Sequence, residues 1–252
     1  MKKNDQYKEF FGAHADDYAK SSSHAKGDDL FQFIEIMKPE ADQASADMAT
    51  GTGFTAVEFA RRCRKVYAID GTKEMLEKAE KLASENGLNN IEFIESSVES
   101  TPLKNESVDI VTCRRAAHHF HDKDRFLREA NRILKHGGRI GIVDMIRNEE
   151  DGRDIRNRLE IIRDPSHFYA PTASEWRRFL ENNGFKIFRE IIMPEPYTYE
   201  KWLSPVKIGG KEDHESKNLI AKESDLDLRN AGLDREKMSF EKKRIIIVAT
   251  KQ

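Results

Sequence analysis

The stretch Asp47-Met48-Ala49-Thr50-Gly51-Thr52-Gly53 decides the fold. It closes a strand at residues 44–48 that is weak by composition, and it leads into a helical pattern near residues 55–62. Glycines at such a turn let the backbone bend tightly and approach a ligand closely, and the helix N-terminus offers free N–H groups to an anion. The stretch therefore predicts a strand, a ligand-binding loop and a helix in succession.

Strands and helices alternate along the next hundred residues. Three boundary signals mark the helices, namely Thr72, Asp122 and the capping box Thr172-Ala173-Ser174-Glu175. The stop signal His136-Gly137-Gly138 ends the helix that begins after Asp122. The predicted strands are residues 44–48, 66–70, 91–94, 108–112, 139–145, 185–193 and 244–250. This alternation predicts a parallel sheet that is covered by helices on both faces.

The chain is expected to form a single domain with three parts. Residues 1–40 are interpreted as a helical cap, residues 41–146 as the cofactor-binding half and residues 147–252 as the substrate-side half. A polar helical insertion is predicted at about residues 205–242, because residues 209–243 hold 17 charged residues in 35. The last strand needs the main sheet as its pairing partner, which argues against a separate C-terminal domain.

Composition excludes several classes of protein. There are 43 Lys and Arg residues against 45 Asp and Glu, and this balance gives no bulk attraction to nucleic acid or anionic lipid. No apolar run approaches the roughly 20 residues that span a bilayer, and the first residues lack the apolar segment of a signal peptide. Cys63 and Cys113 form neither a disulfide framework nor zinc-site spacing. We expect a cytoplasmic protein without a metal, a nucleic-acid partner or a membrane span.

Asp70 is the second element of the predicted site. It closes the second strand, 17 residues beyond Gly53. A carboxylate in this position can accept hydrogen bonds from both hydroxyl groups of a ribose. The loop and Asp70 together predict an adenosine-containing ligand across the carboxyl ends of the first two strands.

The charge of Asp47 discriminates between two such ligands. The segment 51–56 fits the G-x-G-x-x-A pattern of dinucleotide sites, but a carboxylate beside a pyrophosphate is repulsive. The same carboxylate attracts a ligand that carries an ammonium and a sulfonium, and S-adenosylmethionine is such a ligand. S-adenosylmethionine is therefore favoured as the cofactor. An NAD-binding oxidoreductase and a non-catalytic S-adenosylmethionine-binding protein stay as alternatives.

The chain resembles class I S-adenosylmethionine-dependent methyltransferases, and most closely the ubiquinone/menaquinone-biosynthesis-type group and its uncharacterised bacterial relatives. The motifs that carry the resemblance follow in order as Asp47–Gly53, Asp70, residues 96–103, Cys113-Arg114, residues 118–120 and residues 132–138. The resemblance covers about residues 10–193. It implies transfer of a methyl group to a small-molecule acceptor, on a Rossmann-like α/β fold of seven strands. The first five strands would be parallel, and the last would run antiparallel between its neighbours.

The resemblance also implies which residues hold the methyl donor. The cofactor-binding residues would be Asp47, Ala49, Gly51, Gly53, Asp70, Gly71, Met75, Ser97, Val98 and Arg114. The chain departs from the family pattern at Ala49, where the family usually has Gly, and at Ser97, where it usually has an Asp that accepts from the adenine amino group. Arg115, next to the donor-contacting Arg114, is expected to be a solvated charge.

The acceptor side is predicted from the same resemblance. Tyr18, His24 and His167 are candidate substrate residues, and the segment around residues 18–27 is a candidate lid. Residues 7–30 and parts of 150–170 and 197–235 would close over the acceptor. His118 and His119 are the candidates for a general base, because imidazole titrates near neutrality. Packing or orientation of their loop is the alternative role.

Overall fold

One mixed sheet organises the chain in the computed structural model, which describes Gly12, Ala15 and residues 27–252. The spatial order of its main strands is β3-β2-β1-β4-β5-β8-β6. The strands are β1 (Ala44–Met48), β2 (Lys65–Asp70), β3 (Ile91–Glu95), β4 (Val108–Arg114), β5 (Leu134–Ile146), β6 (Phe185–Thr198), β7 (Leu233–Asp234) and β8 (Ser239–Lys251). Strands β1 to β5 are parallel, and β8 lies antiparallel between β5 and β6. The predicted topology is confirmed, and the short β7 is an addition that pairs with β8.

Helices cover both faces of this sheet. They are α1 (Asp28–Met37), α2 (Phe54–Ala60), α3 (Lys73–Glu85), α4 (Lys123–Ile133), α5 (Ile155–Arg163), α6 (Ala173–Asn182), α7 (Tyr199–Leu203), α8 (Lys211–Lys222) and α9 (Asp225–Asn230). Apolar residues of α4 and α6 pack on one face, and those of α1 and α2 on the other. Helix α1 lies so close to β5 that a Cβ on Gly141 would be 2.4 Å from the ring of Phe33.

The helix caps predicted at Asp122, Thr172 and Thr72 are present at the first two positions and absent at the third. Asp122 accepts from the backbone N–H of Arg125, and Thr172 forms the full capping box with Glu175. Both predictions are confirmed. Thr72 stands at the N-cap of α3, but its side chain makes no capping hydrogen bond. There the carboxylate of Asp70 accepts from the N–H of Thr72 instead.

The boundary after α4 differs from the prediction. His136-Gly137-Gly138 lies inside β5, which begins directly after the helix at Leu134. The ladder between β4 and β5 jumps from the pair Val108–Leu134 to the pair Ile110–Arg139. Residues 135–138 therefore form a bulge, which explains why glycines are present within a strand.

The polar insertion begins and ends earlier than predicted and has a core of its own. Because β6 runs to Thr198 and β8 starts at Ser239, the insertion spans residues 199–238 instead of 205–242. Trp202 and Leu228 are buried with α5, and the Trp202 ring stacks on Phe240 with 4.6 Å between the ring centroids. The missed end of β6 contains Pro194 and Pro196, which an edge strand such as β6 tolerates but which argue against a strand in the sequence.

Most of the predicted N-terminal cap lies outside the described residues. This applies to the candidate substrate residues Tyr18 and His24 and to the candidate lid around residues 18–27, of which only Gly27 is described. Within the described part of the chain, no helix combines the length and the apolar character needed to cross a membrane.

Candidate active site

A cleft opens at the carboxyl ends of β1, β2 and β4. It measures about 1120 Å³ with its open mouth included, and it is lined by residues 49–52, 54–55, 70–72, 75, 96–99, 114–116 and 119–121. Crevices at this edge of a parallel sheet are where open α/β folds bind their ligands. Eight of the ten predicted donor residues line it, and the two that do not are Asp47 and Gly53.

Asp70 connects the loop after β1 to the end of β2. Its Oδ2 accepts from the N–H of Gly51 at 2.8 Å, and its Oδ1 accepts from the N–H of Thr72 at 2.9 Å. Burial raises the pKa of the Asp70 carboxyl, while these backbone N–H groups lower it. Each carboxylate oxygen can accept more than one hydrogen bond, so the group can still receive ribose hydroxyls from the cleft.

Gly53 serves packing. Its φ is 88°, and a Cβ there would lie 2.8 Å from the Cβ of Ala79 on α3. Glycine in this position therefore lets α2 and α3 approach each other, which is a known role of the last glycine in such loops.

Asp47 lies beneath the loop, 2% exposed. Its Oδ2 accepts from the hydroxyl of Thr50 and its Oδ1 from the hydroxyl of Thr112, both at 2.7 Å. Burial raises the pKa of Asp47 to about 6, against the opposing effect of these two hydroxyls and of Arg114. Asp47 therefore does not line the cleft itself, but it contacts Thr50, which does.

Ala49 adopts a backbone conformation that favours glycine. Its φ is 57°, in the left-handed region where a Cβ costs about 1–2 kcal/mol. This is the position at which the family pattern usually has Gly, so the departure adds strain as well as a methyl group to the cleft wall.

We expect Ala49→Gly to stabilise the protein by about 0.5–1 kcal/mol, because the relief of strain exceeds the entropy that glycine adds to the unfolded chain. Thermal unfolding would show a rise of about 1–4 °C. Ala83→Gly is the matched control, because the same change inside α3 should lower the melting temperature. A fall in melting temperature for Ala49→Gly would contradict the assignment of strain.

Ser97 and Val98 stand on the opposite wall of the cleft. The Ser97 hydroxyl accepts from the N–H of Glu99 at 3.2 Å, and Val98 is 9% exposed. Met75 on α3 is buried and also lines the cleft. Ser96 and Glu99 line this wall as well, and at position 97 a short hydroxyl stands in place of the carboxylate that the family pattern has there.

Arg114 and Arg115 both turn to a carboxylate that sequence reasoning missed. Each guanidinium makes two hydrogen bonds to Asp29 of α1, at 2.9–3.1 Å. The expectation that Arg115 is a solvated charge is wrong, because its side chain is 11% exposed and lines the cleft. The side chain of Arg114 is 4% exposed. Residues 85 positions apart form this pair, and no local sequence signal marks it.

Of two adjacent histidines after β4, His119 lines the cleft and His118 is not among its lining residues. His118 contacts Asp144 twice, through Nδ1 to Oδ1 at 2.6 Å and through its backbone N–H to Oδ2 at 2.9 Å. Burial alone would raise the pKa of Asp144, but the His118 ring and the backbone N–H groups lower it below its usual value. An ionised Asp144 therefore fixes the hydrogen of His118 on Nδ1. Sequence reasoning missed Asp144, although an acid near the carboxyl end of β5 was a signal for it.

His119 lines the cleft, with its ring centroid 4.0 Å from that of His118. Its Nδ1 donates to the carbonyl of Ser166 at 2.9 Å. Burial and the neighbouring His118 hold the pKa of His119 well below its usual range. His119 is thus a neutral imidazole whose Nε2 is a hydrogen-bond acceptor.

His167, a predicted substrate residue, does not line the cleft. It is 6% exposed, its Nε2 contacts Asn157 Oδ1 at 2.8 Å, and burial lowers its pKa to about 3. Its ring centroid is 5.5 Å from that of His118, so the His167 ring packs next to the His118 ring.

Comparisons with known proteins agree with this geometry. A methyltransferase domain family matches residues 46–142. The uncharacterised methyltransferase YcgJ of Bacillus subtilis is 34% identical over 211 residues, which cover 83% of this chain and 82% of the relative. The crystal structure of YcgJ superposes with a TM-score of 0.80 at 31% identity, covering 88% of this chain and 97% of that one. A demethylmenaquinone methyltransferase of Thermotoga maritima is 30% identical over 115 residues, covering 45% of this chain and 48% of the relative.

The motif order, the sheet topology and the match over most of YcgJ point to one family. The chain belongs to the class I S-adenosylmethionine-dependent methyltransferases.

Proposed function

We propose that this protein binds S-adenosylmethionine in the cleft and transfers its methyl group to a small-molecule acceptor. The observation that carries the proposal is Asp70, which lines the cleft while its carboxylate holds the backbone of the loop after β1. A carboxylate that can accept hydrogen bonds from the ribose hydroxyls therefore lies on the same wall of the cleft as the glycine loop after β1. When bound, the donor supplies an electrophilic methyl carbon on a sulfonium.

Different residues of the cleft would contact different parts of the donor. Asp70 would accept from the ribose hydroxyls, and Ser97 and Val98 would border the adenine. The loop from Ala49 to Gly51 would face the methionine end, with Asp47 below it as the counter-charge for the ammonium. Arg114 would contribute through its backbone, because its guanidinium is bound to Asp29.

His118 is the proposed general base. The Nδ1–H bond to Asp144 leaves Nε2 with its lone pair, and Asp144 stabilises the imidazolium that forms when a proton is taken up. His119 would orient the acceptor through its own Nε2. His118 would take up the proton that the acceptor atom loses when that atom bonds to the methyl carbon and the sulfur–methyl bond breaks, with its electron pair left on the sulfur of S-adenosylhomocysteine.

Calorimetric titration with S-adenosylmethionine, S-adenosylhomocysteine and NAD tests the donor. We expect binding of the first two and none of NAD. Tight NAD binding without binding of S-adenosylhomocysteine would overturn the proposal. Formation of S-adenosylhomocysteine in an acceptor screen tests the reaction itself, and its absence with every acceptor in a protein that binds the donor would favour a non-catalytic binding protein.

The pH dependence of donor binding tests Asp47. Because its pKa is raised to about 6, Asp47 is neutral below that pH in the free protein, whereas a cationic ligand favours the ionised form. Donor affinity is therefore expected to fall as the pH drops through about 6, by at most about tenfold per pH unit for each proton released.

The Asp47→Asn variant is the control for this pH dependence. It should bind S-adenosylmethionine about tenfold more weakly at pH 8 and show a smaller fall toward pH 5. Some slope should persist, since burial raises the pKa of Asp70 as well. Improved NAD binding by Asp47→Asn, with unchanged S-adenosylmethionine binding, would contradict the assigned role.

A further inference from the structure

A group of arginines surrounds Asp29 next to the cleft. Besides its four hydrogen bonds with Arg114 and Arg115, Asp29 lies 3.9 Å from the Nε of Arg244 on β8. Arg244 also pairs with Glu195 of β6 at 2.9 Å. The bonds of Arg115 use Nε and Nη2, so its Nη1 has no hydrogen-bond partner within the described chain.

A second group of cations shares the carboxylate of Glu160 on α5. Glu160 is fully buried and lies 2.8 Å from Arg163, 3.4 Å from the Nζ of Lys242 and 3.8 Å from Arg156. The indole N–H of Trp202 donates to it as well, at 2.9 Å. Lys242 therefore has to share its counter-charge with two arginines.

Strand β8 joins the two groups. Lys242 and Arg244 are two residues apart, so their side chains leave the same face of the strand. Opposite them on β6, Glu195 pairs in register with Lys242, and the Tyr197 ring lies 5.3 Å from the Lys242 Nζ. The last pair between β5 and β8 is Ile146–Lys243. Lys242 lies one residue beyond it, and Arg244 pairs with Met145 one residue before it, so both cations stand at the end of the sheet where the cleft opens. Arg115 belongs to the first group and to the cleft wall at once.

The ammonium of Lys242 has few polar partners. Its side chain is 14% exposed, and Nζ makes its ion pair with Glu160 but no hydrogen bond to any residue that the structure describes. Burial lowers the pKa of Lys242 to about 8. A bound anion would give this ammonium charge-assisted hydrogen bonds in addition to its ion pair with Glu160.

We propose that the methyl acceptor carries an anionic group, a carboxylate or a phosphate, which binds to Lys242 with Arg244 and Arg115 beside it. The inference rests on the proposed function, since it names the substrate class of that site. Because Arg115 belongs to the group around Asp29 and also lines the cleft, the anionic group would lie on the side of the cleft that carries Arg115.

Calorimetry at constant ionic strength tests the proposal, with the protein saturated by S-adenosylhomocysteine. Inorganic phosphate and benzoate are the two anionic probes, and benzamide is the neutral one. We expect at least one of the two anions to bind and benzamide not to bind. Binding of phosphate or of benzoate then shows whether the site takes a phosphate or a carboxylate. Lys242→Gln should weaken that binding about tenfold or more, whereas Lys242→Arg should retain it.

Lys243→Gln is the matched control. Lys243 is the next residue of β8, it points to the other face, and its Nζ lies 3.7 Å from Glu241. It should bind the anion as the wild type does. Absence of anion binding in the wild type, or equal weakening by Lys242→Gln and Lys243→Gln, would overturn the inference. The binding of S-adenosylhomocysteine by each variant shows that it is folded, and failure of that binding in the wild type would count against the donor assignment instead.

Discussion

Asp70→Ala is expected to weaken the binding of S-adenosylmethionine and S-adenosylhomocysteine by about 1.5–3 kcal/mol, which is roughly ten- to more than a hundredfold. The variant loses the acceptor of two ribose hydroxyls. It also loses the carboxylate that accepts from the N–H groups of Gly51 and Thr72, so the loop is less well ordered before the ligand arrives.

Glu95→Ala is the control for Asp70→Ala. Glu95 pairs in register with Asp70 at the end of the neighbouring strand, is exposed and does not line the cleft. Its removal changes the charge by the same amount and should leave donor affinity unchanged. Thermal unfolding should show both variants folded. If folded Asp70→Ala binds S-adenosylhomocysteine as tightly as the wild type, Asp70 serves the loop alone.

The fold was predictable because its information is local. Alternating strand and helix patterns, with caps such as Asp122 and Thr172, determine the order of elements, and parallel strands need crossovers of the observed kind. The ends of β6 and β8 were not predictable in the same way. The end of β6 carries Pro194 and Pro196, which argue against a strand. The start of β8 carries four consecutive charged residues at 241–244, and in a sequence such a segment has the composition of a surface helix.

The candidate site was predictable to the level of strand ends. The residues that follow β1, β2 and β4 line one cleft because parallel strands end at one edge. The direction of long side chains was not predictable. Arg114 and Arg115 turn to Asp29, and His118 turns to Asp144, because of packing between elements that are distant in sequence. Asp47 is buried below the loop and accepts from the Thr50 hydroxyl, and its role as the counter-charge of the donor stays a prediction.

The function of the histidine pair depends on this unforeseen contact. A histidine beside a methyl donor can orient a loop or take up a proton, and the two roles predict different responses to substitution. The 2.6 Å contact between His118 and Asp144 supports proton uptake, because a neutral hydrogen bond to a backbone carbonyl, as His119 makes with Ser166, would hold a ring in place equally well. An ionised carboxylate adds stabilisation of the charged ring.

His118→Ala is therefore expected to lower kcat by about 10²–10⁴ with an acceptor that the wild type methylates, while the affinity for S-adenosylhomocysteine stays within about twofold. The loss should fall on kcat, because the base acts on the proton that leaves during transfer. Imidazole added to the His118→Ala reaction should restore part of the rate, since it can occupy the space of the lost ring and accept the proton.

Asp144→Asn should lower kcat to a smaller degree, and imidazole should not rescue it, because His118 still fills the position. His136→Gln is the control, since His136 is exposed on the bulge of β5 and pairs with Glu106. A loss of S-adenosylhomocysteine binding in His118→Ala, or a loss of rate that imidazole leaves untouched, would show that His118 positions the loop and that the acceptor releases its proton to another group.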